Sequence, residues 1–287
     1  MSFDGIIVPP ATIGMVGGGQ LGRMSALAAR AMGYRVVVLE PKEPCSCGAV
    51  ADDHIVAAYD DEVALAELFD RADVVTFEFE NVRREPLEAF ADRKPVRPSP
   101  KILSVAQNRE REKAFLSKNG FPVAAYRIIG SDQGAAEVVE EGFPFPAILK
   151  TADFGYDGKG QVSVKSPDDL FPAWKAFEGA RVVLEERIDF TAEYSVIAVR
   201  NPSGGVRTYP LCRNIHRDHI LDVTLSPAMP ESGKTQEAQS LCKEIATTLE
   251  LEGVLVVELF LTNSGKWLVN EMAPRPHNSG HFSQNGS

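Results

Sequence analysis

The first hundred residues alternate short β-branched runs with helical repeats, and this alternation constrains the fold more than any other feature of the chain. Strands are predicted at residues 12–16, 36–39, 54–56 and 74–79, and helices from Leu21 and at 61–69. Strands that alternate with helices in this way form a parallel sheet covered by helices. Prolines in residues 94–100 cannot continue a helix or a central strand, so we expect the first domain to end at residue 100.

A glycine-rich loop joins the first predicted strand to the first predicted helix. Gly17, Gly19 and Gly22 have the spacing of a dinucleotide-binding loop, and Glu40 ends the second strand where an acid would hold a ribose hydroxyl. These residues predict either a nicotinamide cofactor or a tight strand-to-helix turn that serves another anion. The loop alone does not decide between the two.

Beyond residue 118 the chain changes to strands and glycine turns. Consecutive strands with few helices between them favour antiparallel pairing and an α+β layer. Helical stretches at 101–118 precede this region, and an amphipathic helix at 235–249 lies before the final hairpin. We therefore predict an α/β domain over residues 1–100 and an α+β domain over residues 101–287.

Charge and composition exclude several classes of protein. The net charge of -10 argues against broad nucleic-acid or membrane-surface binding, because such surfaces are usually basic. No apolar run is long enough to span a membrane and the first residues do not resemble a signal peptide, so a cytoplasmic location is expected. The cysteines are expected to be free thiols, since Cys45-Ser-Cys47 is neither a zinc knuckle nor a redox pair.

The segment VLVVELFLTNSGKWLVNEM places two carboxylates across a predicted hairpin. If Ser264-Gly265 is a two-residue turn, Glu258 and Glu271 lie directly opposite each other, whereas a three-residue loop would shift the register by one. Like charges in that position destabilise a sheet unless something neutralises them. Opposed carboxylates without a nearby cysteine favour magnesium carried by phosphate. The alternative is a chance pair in which one carboxylate is protonated or solvated.

Two motifs before this hairpin are typical of nucleotide binding. In FGYDGKGQ, backbone N–H groups can close over phosphate oxygens with Lys150 and Lys159 as cations, although a plain glycine hairpin has the same composition. Glu185, Glu186 and Glu193 fit a nucleoside pocket, or they are solvated side chains on an edge strand. The polar segment APRPHNSGH after the hairpin is either surface or a site for a small anion.

Taken in order, the motifs GGGQLGRM, GYDGKGQ, LEERI with AEYS, and NEMAPRPHNSGH resemble the ATP-grasp ligases of purine biosynthesis. Among these the resemblance is greatest to the N5-carboxyaminoimidazole ribonucleotide synthases, and it covers essentially the whole chain. It implies an ATP-grasp fold at 101–287, with a lid subdomain at about 120–190, after an N-terminal Rossmann-like (pre-ATP-grasp) parallel-sheet domain. The family's small C-terminal domain is absent from residues 1–287, so the resemblance implies either a fragment or an enzyme that lacks part of its substrate pocket.

The resemblance implies a role for each matching residue. The implied ATP contacts are Arg109, Lys150, Gly155, Tyr156, Asp157, Gly158, Lys159, Gly160, Gln161, Glu185, Glu186, Ile188, Glu193, His216, Asn270 and Glu271. The implied contacts to ribonucleotide and bicarbonate are Gly19, Gln20, Leu21, Glu80, Tyr156, Arg275, His277, Asn278 and Ser279. The implied magnesium ligands are Glu258 and Glu271, and the implied catalytic groups are Asp157, Lys159, Arg275 and His277.

The implied reaction is the carboxylation of 5-aminoimidazole ribonucleotide by ATP and bicarbonate through carboxyphosphate. Phosphoryl transfer of this kind needs positioning and charge neutralisation more than a protein nucleophile. The expected partners are these small molecules and, for a full-length chain, a second subunit in a homodimer, with no nucleic acid or membrane. The alternatives are a formate-dependent glycinamide ribonucleotide transformylase or biotin-carboxylase-like ligase, an NAD-dependent oxidoreductase, and a non-catalytic nucleotide sensor. Related ligases differ in the APRPHNSGH segment.

Overall fold

The computed structural model describes residues 5–153, 160–218 and 220–284. These residues form three sheets, one parallel and two antiparallel, each covered by helices. The parallel first sheet and the antiparallel later sheets confirm the predicted α/β and α+β classes. No helix in the described ranges has the length and apolar character that crossing a membrane requires.

The first sheet is parallel, with strand order β3-β2-β1-β4. Its elements are β1 (Thr12–Val16), α1 (Gln20–Ala31), β2 (Arg35–Leu39), β3 (Asp53–Ile55), α2 (Glu62–Arg71), β4 (Val74–Phe77) and α3 (Arg84–Phe90). Helix α2 begins after Asp61, whose side chain accepts hydrogen bonds from two backbone N–H groups of the first turn. The predicted strands are confirmed, whereas α3 was not predicted.

Two helices lead into the second sheet, which is antiparallel with strand order β5-β8-β6-β7. The elements are α4 (Pro100–Ala106), α5 (Arg109–Lys118), β5 (Tyr126–Ile129), α6 (Asp132–Glu140), β6 (Ala147–Thr151), β7 (Gln161–Val164), α7 (Pro167–Lys175) and β8 (Val182–Glu186). The sequence analysis did not predict α6 and α7. Their signals are short, namely a Ser131 cap and a Ser166–Asp169 capping box.

The third sheet is also antiparallel, with order β12-β11-β9-β13-β14 and β10 paired to β9. Its elements are β9 (Phe190–Arg200), β10 (Val206–Thr208), β11 (Cys212–Arg217), β12 (Ile220–Leu225), α8 (Lys234–Thr248), β13 (Gly253–Thr262) and β14 (Trp267–Ala273). The predicted amphipathic helix is α8, which buries Ala238, Cys242 and Ile245 in the core of this sheet. A 3-10 helix at Asn278–Gln284 follows β14.

The β13–β14 hairpin corrects one prediction and confirms another. Ser264-Gly265 is not a two-residue turn, because Leu261 pairs with Trp267 and the backbone N–H of Thr262 donates to the carbonyl of Lys266. This loop shifts the register by one, as the sequence analysis foresaw for a longer loop. A β-bulge between Glu258 and Leu259 then shifts it back, so Glu258 does pair with Glu271.

Candidate functional site

A carboxylate of the protein occupies the glycine loop before α1. Glu78, which follows β4, accepts a hydrogen bond from the N–H of Gly19 at 2.5 Å and a second from the N–H of Gly22. Gly22 lies within α1, where a Cβ would come within 2.5 Å of Glu78 Oε2. These glycines therefore let a buried acid approach the helix N-terminus, where a dinucleotide site would hold a phosphate.

The acid predicted for a ribose is also engaged within the protein. Glu40 accepts a hydrogen bond from the N–H of Gly18 at 2.9 Å and one from the hydroxyl of Tyr59. Burial raises the pKa of Glu78, although the hydrogen bonds from Gly19 and Gly22 oppose this shift. Because both acids and the loop N–H groups are satisfied internally, the structure contradicts a nicotinamide cofactor at this loop.

A cavity of about 310 Å³ lies beside the loop and unites several residues that the sequence analysis assigned to the ribonucleotide. Its lining residues are Gln20, Leu21, Glu78, Phe79, Glu80, Asn81, Arg275 and Asn278. Across it, Nη2 of Arg275 lies 2.9 Å from Oε1 of Glu80, and Nε contacts the other carboxylate oxygen. Burial favours the neutral form of Glu80, yet its hydrogen bonds and ion pair with Arg275 hold its pKa below the usual value.

Glu258 and Glu271 pair across β13 and β14, and the region that these carboxylates form with Arg109, Lys150, Glu193, His216, Arg275 and His277 is called the cleft below. Burial first, and then the charge of Glu258, raises the pKa of Glu271. Burial opposes ionisation of Glu258 too, but the hydrogen bond that Glu258 accepts from His277 lowers its pKa. Two such groups on paired strands are an arrangement that a bound cation stabilises.

The donor set fits magnesium rather than a metal held by protein alone. Among the residues that the structure describes, no group of three or more His, Cys, Asp or Glu forms a metal site. Magnesium usually takes one or two carboxylates and completes its shell with water and substrate phosphates. The paired Glu258 and Glu271 would supply two such carboxylates.

Two histidines flank the carboxylate pair. His277 Nε2 lies 3.2 Å from Glu258 Oε1. His216 Nδ1 forms an ion pair with Glu193 on the neighbouring strand. The hydrogen bond that His216 donates to Glu193, together with the charges of Glu193, Glu258 and Glu271, raises the pKa of His216 against the effect of burial. The predicted nucleotide residues Glu193 and His216 are therefore brought together beside the carboxylates.

A buried chain of hydrogen bonds fixes the orientation of His277. The backbone N–H of Ser279 donates to His277 Nδ1 at 3.2 Å, so this network assigns the ring proton to Nε2, which faces Glu258. The Ser279 hydroxyl lies 2.9 Å from the same Nδ1. Ser279 is fully buried, so its hydroxyl does not reach the cleft. Ser279 contacts His277 in this structure, and its predicted contact with substrate stays a prediction.

The chain of hydrogen bonds continues from Ser279 into the third sheet, through residues that were not predicted from the sequence. The Ser195 hydroxyl donates to Ser279 Oγ at 2.9 Å, and the Asn214 amide donates to Ser195 Oγ at 3.1 Å. Thr224 Oγ1 donates to Asn214 Oδ1 at 3.2 Å. Ser195 is a buried polar residue in a largely apolar part of β9, and that contrast is a signal in the sequence, whereas Asn214 is buried in a strand with polar neighbours and has no such signal.

A buried lysine cluster joins the second and third sheets. Lys113, which is 1% exposed, lies 3.0 Å from Glu185 Oε2 and donates to the carbonyl of Asn270 at 2.9 Å. Lys150 lies 3.1 Å from Glu185 Oε1. Burial opposes ionisation of Glu185, but the two lysines lower its pKa to about 2. The Glu185 carboxylate therefore contacts lysines, and Lys113 is a site residue that the sequence analysis did not identify.

Helix α5 also contributes Arg109 and Glu112. Arg109 Nη1 donates to the carbonyl of Thr151 at 3.1 Å, and its charge lowers the pKa of Glu271, which burial and Glu258 raise. Glu112 accepts a hydrogen bond from the N–H of Met272 at 2.6 Å, and burial raises the pKa of Glu112 to about 8. Arg109, Glu112 and Glu271 line one small cavity.

The remaining predicted residues divide into two groups. Gly155, Tyr156, Asp157, Gly158 and Lys159 lie outside the described residues. The others are described and lie near strand ends. Gly160 accepts a hydrogen bond from the N–H of Thr151 at 2.8 Å, and Gln161 pairs with Lys150. Glu186 ends β8, and Ile188 follows it, half-buried.

Comparisons with known proteins agree with this geometry. Residues 10–107 match the ribonucleotide synthetase preATP-grasp domain, and residues 114–287 match the ATP-grasp domain. The chain is 42% identical over 277 residues to the N5-carboxyaminoimidazole ribonucleotide synthase of Bacillus subtilis, covering 96% of this chain and 73% of that protein.

Two solved structures extend the likeness. A crystal structure of an ADP complex of N5-carboxyaminoimidazole ribonucleotide synthetase is 43% identical, with a TM-score of 0.92 and coverage of 98% of this chain and 74% of that one. The Aspergillus clavatus synthase in complex with ADP and 5-aminoimidazole ribonucleotide is 29% identical, with a TM-score of 0.84 and coverage of 95% and 72%.

Proposed function

The chain belongs to the N5-carboxyaminoimidazole ribonucleotide synthase family of ATP-grasp enzymes, and from this premise we infer how its cleft works. The reaction is the ATP-dependent carboxylation of 5-aminoimidazole ribonucleotide to N5-carboxyaminoimidazole ribonucleotide, a step of purine biosynthesis. The interpretation as an NAD-dependent oxidoreductase is therefore wrong. The alternatives of a formate-dependent transformylase, a biotin-carboxylase-like enzyme and a non-catalytic sensor are set aside for the same reason.

We propose that Glu258 and Glu271 hold magnesium together with the phosphates of ATP. The observation that carries this proposal is the β-bulge, which sets two carboxylates opposite each other on paired strands. When bound there, magnesium would neutralise the phosphate charge that develops during transfer. Asn270 lies in the bulge, between Val269 and Glu271, and the side chain of Glu258 receives a hydrogen bond from it.

We propose that ATP lies between the second and third sheets. The charges of Arg109 and Lys150 both act on Glu271, and we assign these cations to phosphate oxygens. Glu193 and His216 form an ion pair beside the carboxylates, which suits ribose hydroxyls. Glu186 and Ile188, with Glu185 held by lysines, are assigned to the adenine on the resemblance. The roles of residues 155–159 rest on the resemblance alone.

The ribonucleotide is assigned to the cavity beside the glycine loop. Gln20, Leu21 and Asn278 line this cavity, and so do Glu80 and Arg275, which form an ion pair. In the proposed sequence a bicarbonate oxygen attacks the γ-phosphorus and ADP leaves. The ribonucleotide amine then attacks the carbon of carboxyphosphate, and phosphate leaves. His277 and Arg275 are placed to orient bicarbonate, because both border the carboxylate pair.

Further parts of the proposal concern the whole enzyme. We propose a cytoplasmic homodimer, a domain boundary at residue 100 and a lid over about residues 120–190, as the resemblance implies. Sedimentation velocity tests the dimer, and limited proteolysis followed by mass measurement tests the boundary. Neither measurement affects the assignment of the cleft.

Replacing Glu271 with Gln tests the magnesium site. The substitution nearly keeps the shape but removes a charged ligand, so the fold should survive while turnover falls roughly a hundredfold or more. ADP release is measured with ribonucleotide and bicarbonate across a magnesium titration, and circular dichroism checks the fold. Glu250→Gln, at a carboxylate that is 78% exposed, is the matched control. Wild-type turnover of Glu271→Gln at every magnesium concentration would contradict the proposal.

A further inference from the structure

The backbone on both sides of Glu271 is held by two consecutive side chains of α5. Lys113 Nζ donates to the carbonyl of Asn270 at 2.9 Å, and Glu112 Oε1 accepts from the N–H of Met272 at 2.6 Å. Glu112 is 3% exposed and Lys113 is 1% exposed. Neither residue belongs to the site that the sequence motifs predict.

These contacts lie beside an irregularity in the pairing of β14 with β13. β14 is the last strand in the order of its sheet, and a bulge interrupts its pairing with β13 between Val269 and Glu271. A bulged residue leaves backbone groups without ladder partners, and buried backbone groups need partners. Glu112 accepts a hydrogen bond from the N–H of Met272, and Lys113 donates one to the carbonyl of Asn270. These side chains replace the backbone hydrogen bonds that a neighbouring strand would make.

The bulge determines which side chain opposes Glu258. Near the turn the register pairs Leu259 with Val269 and Phe260 with Leu268, and continuing it would set Asn270 opposite Glu258. A slip of one residue also turns each side chain to the other face of the sheet. The extra residue at the bulge is therefore what brings the Glu271 carboxylate to Glu258.

The ion pair between Lys113 and Glu185 does not by itself explain why Glu112 and Lys113 contact β14. The charge of Lys113 is already met by Glu185, which Lys150 also contacts. Glu112 accepts a hydrogen bond from the backbone N–H of Met272, the residue after Glu271. Burying both groups disfavours folding unless their hydrogen bonds are made, so the contacts to β14 are specific.

We propose that Glu112 and Lys113 are positioning residues that hold the bulge at Asn270 and so keep the Glu271 carboxylate opposite Glu258. The proposal rests on the magnesium site proposed above. Through Glu185, Lys113 also ties β8 to β14, so the strand assigned to adenine and the strand assigned to magnesium share one buried cation.

The test compares variants that keep or remove each hydrogen bond. Glu112→Gln keeps an acceptor for the Met272 N–H, whereas Glu112→Leu removes it. Lys113→Met removes the donor to Asn270 and leaves Lys150 on Glu185. Val138→Ala, in the core of the second sheet, controls for general loss of stability. Binding of ADP is measured by calorimetry with and without magnesium, and exchange of the Met272 amide is followed by NMR.

Glu112→Leu and Lys113→Met should each lose about tenfold or more of the enhancement that magnesium gives to ADP binding, with less change in metal-free affinity. Glu112→Gln and Val138→Ala should resemble the wild type. Exchange of the Met272 amide should rise about tenfold in Glu112→Leu but not in Glu112→Gln. If Glu112→Leu does not fold, Lys113→Met carries the same test, because it acts on the other side of Glu271.

Glu271→Gln, measured in parallel, separates the two proposals. If it removes the magnesium enhancement while Glu112→Leu and Lys113→Met retain it, the positioning role is overturned and the magnesium site stands. If Glu271→Gln also retains it, the magnesium site is wrong and the positioning role falls with it. Loss of the enhancement in all three variants, with Glu112→Gln unaffected, supports both.

Discussion

At the scale of single residues, buried hydroxyl and amide groups control the groups that face the cleft. Each hydrogen bond in the chain from Thr224 to His277 points in one direction, with Asn214, Ser195 and Ser279 between them. Such a chain holds one tautomer of the histidine because a reversed ring would set donor against donor. His277 is thus held as a donor toward Glu258.

Removing the middle of this chain tests its role. Ser195→Ala leaves the Asn214 amide without its buried acceptor, so we expect a loss of roughly 1–3 kcal/mol in the free energy of unfolding. We also expect kcat to fall several-fold and the nitrogen-15 shifts of the His277 ring to show a mixture of tautomers. Ser203→Ala, at an exposed hydroxyl, is the control. Unchanged His277 shifts in a destabilised Ser195→Ala protein would show that the chain is only structural.

The Glu193–His216 ion pair predicts a pH dependence of stability. The folded state raises the pKa of His216 above its ordinary value of 6.5. A raised pKa means that the charged form stabilises the fold fully below pH 6.5, and that this contribution is lost as pH rises through the folded pKa. The advantage of the wild type over Glu193→Gln in urea unfolding should therefore shrink from pH 6 to pH 9. An advantage that grows with pH would have the wrong sign.

At the scale of elements, helices and strands with a periodic apolar pattern could be predicted from the sequence, but the β-bulge that interrupts β14 could not. β1 to β4 follow from β-branched runs, and α8 follows from its apolar face. At the bulge, the carbonyl of Asn270 accepts a hydrogen bond from the side chain of Lys113, which lies 157 residues earlier in the sequence. No local sequence pattern contains such a contact. Glu258 and Glu271 were paired correctly because two register shifts cancel, and one of these was not foreseen.

The glycine loop also depends on a contact with a distant residue that the local sequence does not predict. Its spacing correctly predicts a strand, a tight turn and a helix N-terminus that accepts an anion. The identity of the anion depends on Glu78, which arrives from β4 and which the sequence analysis passed over in favour of Glu80. Lys113 and Ser195 were missed for a related reason, since each lies in a segment whose local pattern describes only a helix or a strand.

The contact between α1 and Glu78 predicts an inversion of helix propensity. Within a helix, alanine is usually about 1 kcal/mol more stable than glycine. Gly22→Ala should nevertheless destabilise the protein, because the new Cβ would meet Glu78 Oε2 at 2.5 Å. The KM for the ribonucleotide should rise while the KM for ATP stays unchanged, since Glu78 lines the cavity assigned to the ribonucleotide.

Gly134→Ala provides the matched control for this effect. Gly134 lies in α6, where a Cβ would meet only the Ser131 hydroxyl at 3.4 Å, so alanine should be neutral or stabilising there. Urea unfolding of both variants gives the comparison. Equal stabilisation by Gly22→Ala and Gly134→Ala would mean that Glu78 does not pack against α1 as described.

At the scale of the whole molecule, an acidic protein binds anionic substrates through a cleft whose charges are nearly all paired. The net charge of -10 repels phosphates in general. Within the cleft, Arg275 pairs with Glu80, and Lys113 and Lys150 pair with Glu185. Glu258 and Glu271 face each other. In the proposed site, a metal and its nucleotide together would complete this charge balance.

This charge balance predicts that nucleotide and magnesium stabilise the protein jointly. Bound ligand at a hundred times its dissociation constant adds about 2.7 kcal/mol to the folded state. Since each sheet has its own core, the unfolding transition that includes the third sheet should shift upward by several degrees. Thermal unfolding is measured with ADP alone, magnesium alone, both together, and NADH. The shift should require ADP and magnesium together in the wild type, and Glu271→Gln should lose the magnesium-dependent part because the remaining carboxylate is a weaker ligand.

NADH should give no shift, because Glu78 already accepts the hydrogen bonds from Gly19 and Gly22 that a dinucleotide would need. A shift with NADH equal to that with magnesium and ADP would contradict the internal role of Glu78, and an equal magnesium-dependent shift in Glu271→Gln would contradict the assignment of the metal to the β13–β14 hairpin.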